Sequence, residues 1–140
     1  SDDAARLLKD TEASLYAGLA AARAGARLNA IGHAVEEYAR ARGYGLVQEY
    51  GGHGIGRKMW EEPHVANHGD PTQGIRLRPG MTFAVEPMLN LGGDATTGPL
   101  ADGWTVATAD GSLSAHFEHT IVITEGEAEI LTPRLTAVVH

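Results

Sequence analysis

Residues 113–124 read LSAHFEHTIVIT, a stretch in which apolar and polar side chains alternate. Alternate residues of an extended chain point to opposite faces, so this spacing predicts one long strand with Ile121 and Ile123 on its apolar face. Glu118 shares the other, more polar face with His116. The stretch therefore predicts a sheet that buries one face and presents an acidic side chain rigidly on the other.

Upstream of this strand the pattern changes from helical to extended. Apolar residues at helical spacing predict two helices that form a hairpin, and turn residues then separate several short strands. We predict one α+β domain over residues 1–140, with the helical hairpin at 1–43 and a mostly antiparallel sheet at 44–140. The predicted elements are helices at 3–24 and 29–42, strands at 46–50, 81–86, 113–124 and 128–131, and a hairpin within 89–108 around a loop at 92–103.

The composition restricts the partners that we expect. A chain of 140 residues with 43% hydrophobic side chains can bury one compact core. The net charge of -7, with 11 lysines and arginines, argues against nucleic acid, whose phosphates require cations, and against an anionic membrane surface. Since cysteine is absent, neither disulfides nor thiolate metal sites can form, and a cytoplasmic location is expected.

Three polar side chains occur where strands would hold them rigidly. His53 follows one predicted strand, Glu86 ends another, and Glu118 lies within the long one. One imidazole and two carboxylates suit a divalent ion such as Co, Mn, Fe or Zn. Spacing alone also allows the reading that these are three unrelated surface groups.

Two other kinds of site receive less support. The glycines around His53, in GHGIG at 52–56, could form a tight turn, but no helix follows them as one does in a phosphate-binding loop. Ser114 and His116 are neighbours on one strand face, without an acid placed to orient them as in a catalytic triad. We therefore predict neither a nucleotide site nor a serine hydrolase.

Three long motifs point to a known family. They are GGHGIGRKMWEEPHVANHG at 51–69, LRPGMTFAVEPM at 77–88 and DGWTVATADGSLSAHFEHTIVIT at 102–124. Together with the preceding helices, they resemble the carboxy-terminal half of type I methionine aminopeptidases. The resemblance implies half of a pita-bread fold, which the family shares with creatinase and prolidase. It also implies metal-assisted hydrolysis that removes the amino-terminal methionine from new proteins.

The resemblance assigns roles to individual residues. His53, Glu86 and Glu118 match metal ligands, and Glu86 is also a candidate catalytic residue. Met59 and Trp104 match positions that line the pocket for the methionine side chain of the substrate. Soft and aromatic surfaces of this kind suit a thioether.

One position departs from the family pattern. Trp60 stands where the family has a second histidine that contacts the substrate peptide group during attack. An indole donates one hydrogen bond but cannot accept or transfer a proton as imidazole does. We therefore expect weaker cleavage or a differently held substrate, with His64 as a candidate replacement.

The family enzymes bind two divalent ions and take two aspartate ligands from their amino-terminal half, which this sequence does not match. Asp94, Asp102 and Asp110 lie in turn-like sequence and do not resemble those ligands. At most one ion is therefore expected here. A peptide amino terminus is the expected substrate, and a homodimer or a complex with a separate amino-terminal half is the expected assembly.

Other functions remain open at this stage. The chain could be a non-catalytic module of the same fold that binds peptides or partner proteins. It could also be a structural half that folds and dimerises without a ligand. Among enzymes, a proline-specific peptidase of the same fold is the second choice.

Overall fold

A computed structural model describes residues 1–134. The chain begins with helix α1 (Asp2–Ala21), continues with helix α2 (Asn29–Ala41), and then forms only strands and loops. Ser1 caps α1, because its hydroxyl oxygen accepts a hydrogen bond from the backbone N–H of Ala4. Within residues 1–134, no helix is both long enough and apolar enough to cross a membrane.

The strands form three antiparallel groups. The large sheet has the order β10-β9-β4-β2-β3, the small sheet has the order β1-β5-β8, and β6 pairs with β7. The predicted α+β class, with two helices followed by antiparallel sheets, is confirmed. The strands are β1 (Gly45–Leu46), β2 (Gly52–Ile55), β3 (Glu61–Val65), β4 (Thr82–Val85), β5 (Met88–Asn90), β6 (Thr96–Pro99), β7 (Val106–Thr108), β8 (Ser114–His116), β9 (His119–Val122) and β10 (Glu129–Ile130).

The helices bury their apolar faces against both sheets. One core cluster joins Leu15 and Ile31 of the helices to Phe83 and Ile121 of the large sheet. A second cluster joins the helices to the small sheet and includes Leu7, Val35, Leu46 and Leu89. Each fully buried side chain of this size contributes about 1.5–3 kcal/mol of hydrophobic free energy. The two clusters therefore fix both sheets against the same helical layer.

Two neighbouring segments of the chain, β4–β5 and β8–β9, pass from one sheet to the other at the same place. β4 and β9 pair in the large sheet up to Val85 and His119, whereas β5 and β8 pair in the small sheet from Met88 and His116. Residues 86–87 and 117–118 lie between these pairs, and we call these four residues the seam. Pro87 lacks a backbone N–H, which interrupts the ladder of hydrogen bonds on one side. Both segments therefore pass between the large and the small sheet at the seam.

The seam corrects the prediction of one long strand at 113–124. The alternation is real, since Ala115, His119 and Ile121 are all buried, but the strand is divided into β8 and β9. Glu118 therefore lies between two strands and not within one. The single-strand prediction was wrong because it used the pattern of this segment alone, and the break depends on the paired segment around Pro87.

The prediction around His53 was wrong in a similar way. The predicted strand at 46–50 stops at Leu46, and a new strand, β2, contains His53 itself. The glycines beside His53 do not form a turn. A Cβ at Gly52 would collide with the carbonyl oxygen of Ala84, and a Cβ at Gly54 would press on the carbonyl oxygen of Glu62. Glycine is used here because β2 lies unusually close to its neighbouring strands.

Besides β2, two further strands were not predicted. β3 contains two glutamates and a proline, a composition that disfavours strands, and β6 lies inside the predicted loop at 92–103. The two helices were predicted correctly, although α1 ends at Ala21. The division of the chain at residue 43 stays a prediction, and residues 135–140 lie outside the described part.

Candidate metal centre

The orientation of the His53 ring leaves one nitrogen free for a ligand. Nδ1 lies 2.9 Å from the carbonyl oxygen of Gly54. A carbonyl oxygen can only accept, so Nδ1 carries the proton and Nε2 keeps its lone pair. Nε2 lies 3.6 Å from Oε1 of Glu86. The chain therefore presents the unprotonated nitrogen of a largely buried imidazole to a carboxylate, as a metal-binding histidine does.

Glu86 is held at the seam by its backbone. Its carbonyl oxygen accepts a hydrogen bond of 3.1 Å from the side-chain amide of Asn67, which is buried. The Glu86 side chain is only 16% exposed, yet its ion-pair partners are imidazoles and not lysine or arginine. A largely buried carboxylate without a permanent cation beside it is costly, which is usual in a functional site.

Glu118 completes a cluster with these two residues. One ligand atom from each of His53, Glu86 and Glu118 can be chosen so that all three lie within 4.8 Å of one another. Glu86 directly follows β4 and Glu118 directly precedes β9, and His53 lies on β2, the other neighbour of β4. The structure therefore brings together the three residues that the sequence assigned as ligands, and their nitrogen and oxygen donors fit a divalent ion.

A residue that contacts this cluster, His116, was not predicted as part of the site. Its Nε2 lies 3.3 Å from Oε2 of Glu86. The hydrogen bond to Glu86 raises the pKa of His116, burial lowers it, and the charges of Glu86 and Glu118 add to the increase. The alternation at 113–124 places His116 on the same face as Glu118 and beside Ser114, but it does not predict the contact with Glu86. Its place two residues before Glu118, on the same strand face, was the available signal.

A cleft of about 720 Å³ opens beside the cluster. Glu86 and His116 line it, together with three aromatic residues, Trp60, Trp104 and Tyr50. The Trp60 ring lies 6.3 Å from the His53 ring, centroid to centroid. The cleft therefore combines aromatic side chains with two carboxylates, Glu49 and Glu86, and two imidazoles, His64 and His116.

The predicted substrate-binding residues lie at different distances from this cleft. Trp104 lines it but is 88% exposed, and Met59 is 84% exposed and is not among the residues that line it within 1–134. His64, the candidate replacement for the family's histidine, also lines the cleft. Trp60 lines the cleft as well, within 6.3 Å of the His53 ring, centroid to centroid.

The three aspartates considered as ligands have structural partners. Asp94 binds Arg40 through both oxygens, each at 2.6 Å. Asp102 accepts hydrogen bonds from the backbone of Trp104 and Thr105 within its turn. Asp110 accepts one from Gly93, and this bond is the leading cause that lowers the pKa of Asp110 to about 2. None of the three belongs to the metal-type cluster in residues 1–134.

Comparison with known proteins agrees with this geometry. Residues 1–125 match the family described as metallopeptidase family M24. The chain belongs to this family. The fold predicted from the three motifs, half of a pita-bread fold, is thereby confirmed.

Individual M24 relatives show how far the likeness extends. Methionine aminopeptidase 1 of Bacillus subtilis is 49% identical over 132 residues, which are 94% of this chain and 53% of that protein. The crystal structure of methionine aminopeptidase from Rickettsia prowazekii matches with a TM-score of 0.90 at 43% identity, covering 93% of this chain and 52% of that one. The chain spans about half the length of these relatives. The predicted resemblance to methionine aminopeptidases is confirmed.

The proline-specific alternative has weaker support. Prolidase from Pyrococcus furiosus matches with a TM-score of 0.66 at 20% identity, covering 94% of this chain and 33% of that one. Identity at this level shows a common fold and nothing about the substrate.

Proposed function

We propose that this chain supplies the His-Glu-Glu metal centre of a methionine aminopeptidase-like enzyme, which hydrolyses the peptide bond after an amino-terminal methionine. The observation that carries the proposal is the convergence of His53, Glu86 and Glu118 to within 4.8 Å at the seam. Membership of a metallopeptidase family and 49% identity to a methionine aminopeptidase support it.

The residues that would hold the ion are His53 through Nε2, and Glu86 and Glu118 through carboxylate oxygens. We propose one ion for this set, chosen from Co, Mn, Fe and Zn, because three ligands provide for no second one. A divalent ion held there would supply Lewis acidity, which polarises a peptide carbonyl and lowers the pKa of water.

The cleft residues would bind the substrate. Trp104 offers an aromatic surface to the methionine side chain, and Met59, on the neighbouring exposed segment, offers a soft one. Trp60 would close the cleft on the His53 side and donate one hydrogen bond from its indole N–H. Glu86 belongs to the cluster and also lines the cleft, so we propose a second, catalytic role for it as a proton acceptor.

The complete enzyme needs ligands that this chain does not bring to the cluster. We propose that a second copy of the chain, or a separate amino-terminal half, meets the side of the molecule that carries the cleft. The exposed aromatic residues there are the surface that such a contact would cover. The cytoplasmic location stays a prediction.

The decisive experiment measures metal content and hydrolysis together. The chain is freed of ions by chelation and given Co²⁺ or Mn²⁺; bound metal is then counted, and cleavage of a Met-Ala peptide is followed. We expect one ion per chain, and we expect Glu118→Ala to lose both the ion and any cleavage. Glu125→Ala, which removes an exposed glutamate from a turn, is the matched control. Cleavage that survives in Glu118→Ala would contradict the proposal.

A non-catalytic peptide-binding module is the second candidate. The observation that favours it is Trp60, which offers no proton acceptor where the family has a histidine. Under this alternative the wild-type chain binds the ion and a Met-Ala peptide but releases no methionine. A structural half without ligand would take up no ion, and sedimentation would then show whether it dimerises.

A further inference from the structure

The two imidazoles that flank Glu86 differ in what they can do. His53 Nε2 faces Oε1 at 3.6 Å, and His116 Nε2 faces Oε2 at 3.3 Å. The carboxylate thus has one imidazole beside each oxygen. The Gly54 carbonyl fixes a proton on Nδ1 of His53, and the 3.6 Å contact of Nε2 with Oε1 is too long for a hydrogen bond, so in the neutral imidazole the Nε2 lone pair is free.

His116 must have the opposite arrangement. An ionised carboxylate oxygen only accepts hydrogen bonds, so a nitrogen that binds Oε2 has to carry a proton and donate it. His116 Nε2–H is therefore the donor. One imidazole next to Glu86 is free to bind an ion, while the other is engaged in binding the carboxylate.

The backbone explains why Glu86 needs such a partner. Glu86 lies in the seam, between the last pair of the large sheet, Val85 with His119, and the first pair of the small sheet, Met88 with His116. Between these pairs the regular ladder is interrupted, and the Glu86 carbonyl is held by the Asn67 side chain, which does not orient the carboxylate. His116 is the first residue of the small sheet on the opposite strand, so it can hold the carboxylate across the seam.

We propose that His116 is a positioning residue for the metal centre: it binds Oε2 of Glu86 and turns Oε1 toward His53 and Glu118. The inference rests on the metal centre proposed above and deepens it. Hydrogen bonds of this kind to a ligating carboxylate commonly change metal affinity by about 10-fold to 100-fold when they are removed. His116 acts through Glu86 and contributes no ligand atom of its own.

The test compares Co²⁺ binding by calorimetry in the wild-type chain, His116→Ala, His116→Gln and the control His68→Gln. We expect His116→Ala to bind Co²⁺ about 10-fold to 100-fold more weakly. His116→Gln keeps an N–H donor and should recover most of the affinity, and His68→Gln should bind as the wild type does. The visible absorption bands of bound Co²⁺ should keep their positions in all four proteins, because the ligand set is the same.

A second measurement needs neither a variant nor the metal. Nitrogen NMR of the histidine rings in the metal-free wild-type chain should show a proton on Nε2 of His116 and on Nδ1 of His53. An unprotonated Nε2 on His116 would overturn the inference even if the variants did not fold.

Three other results separate the inference from the proposed function. Wild-type affinity in His116→Ala would overturn the role of His116 alone. Loss of affinity in both His116 variants, with shifted Co²⁺ bands, would make His116 a ligand and also overturn the positioning role. A wild-type chain that binds no Co²⁺ would overturn the metal centre itself, and this inference with it.

Discussion

Two regions of the molecule use carboxylates in opposite ways. At the corner between α2 and β1, both oxygens of Asp94 bind Arg40, and Asp94 also accepts from the Leu46 backbone and the Gln48 side chain. At the seam, Glu86 faces two imidazoles, and no hydrogen bond or ion pair within residues 1–134 engages Glu118. The corner has its donors built in, whereas the seam leaves carboxylate oxygens available. The corner therefore contains its own cation, whereas the proposed metal centre lies where the described chain places no lysine or arginine beside the carboxylates.

The largest expected effect is stabilisation by metal. At a Co²⁺ concentration 100 times its Kd, the free energy of unfolding should rise by about 2.7 kcal/mol in the wild-type chain and also in Asp94→Asn. In His53→Ala, if binding weakens 100-fold, the gain should fall to about 0.4 kcal/mol. Chemical denaturation with and without the ion measures these changes. An equal gain in His53→Ala would show that the ion binds elsewhere.

The next largest effect concerns the corner without metal. Asp94→Asn should lower the free energy of unfolding by about 1–2 kcal/mol, because it removes charge-assisted hydrogen bonds to Arg40. We expect no larger loss of stability because both side chains are more than a third exposed, and solvent screens the pair. Urea denaturation against Glu125→Gln, expected to stay within about 0.5 kcal/mol, is the measurement. If the free energy of unfolding of Asp94→Asn equals that of the wild type, the contrast between the two regions is wrong.

A smaller effect is expected in how the free energy of unfolding falls at acid pH. The hydrogen bonds with Arg40 are the leading cause that lowers the pKa of Asp94 to about 2, from 3.8. Below pH 3.8 the unfolded chain binds more protons at this group, so its stabilising contribution is complete above that pH and is lost as the pH falls toward about 2. Asp94→Asn should therefore show a shallower loss of stability across this window. Identical slopes in the two proteins would contradict the assignment.

The smallest effect is expected at the seam itself without metal. Glu118→Gln should change the free energy of unfolding by no more than about 0.5 kcal/mol, and in the stabilising direction, because it removes a negative charge near Glu86. Thermal denaturation in the presence of a chelator measures this. Clear destabilisation would mean that Glu118 supports the fold, as Asp94 does.

The contrast also shows what the sequence could predict. Alternation at 113–124 correctly gave the buried face of β9, including Ile121 and Ile123, and the motifs correctly brought His53, Glu86 and Glu118 to one place. Local patterns did not show the seam, because it depends on which strands pair across the sheets. The contact of His116 with Glu86 was missed for the same reason. It joins two strands whose register the sequence does not state.

The Arg40–Asp94 pair was beyond local reasoning as well. The sequence predicts Asp94 in a turn, and it does lie in a loop. Its partner Arg40, however, lies on α2. The hydrophobic periodicity of a segment does not show which distant side chain will pair with a charged residue in it. Sequence patterns therefore describe the faces of elements better than the polar contacts between them.

The seam also separates the residues that stabilise the core from the residues that carry the proposed chemistry. Residues that build the core, such as Phe83 in the large sheet and Leu89 in the small one, lie on either side of it, and residues 86–87 and 117–118 belong to no strand. A substitution of an exposed residue there or at the cleft edge, such as Glu118 or Trp60, can alter chemistry without removing a core contact. Substitutions at the cleft and substitutions in the core should therefore act separately on this chain, the first on its chemistry and the second on its stability.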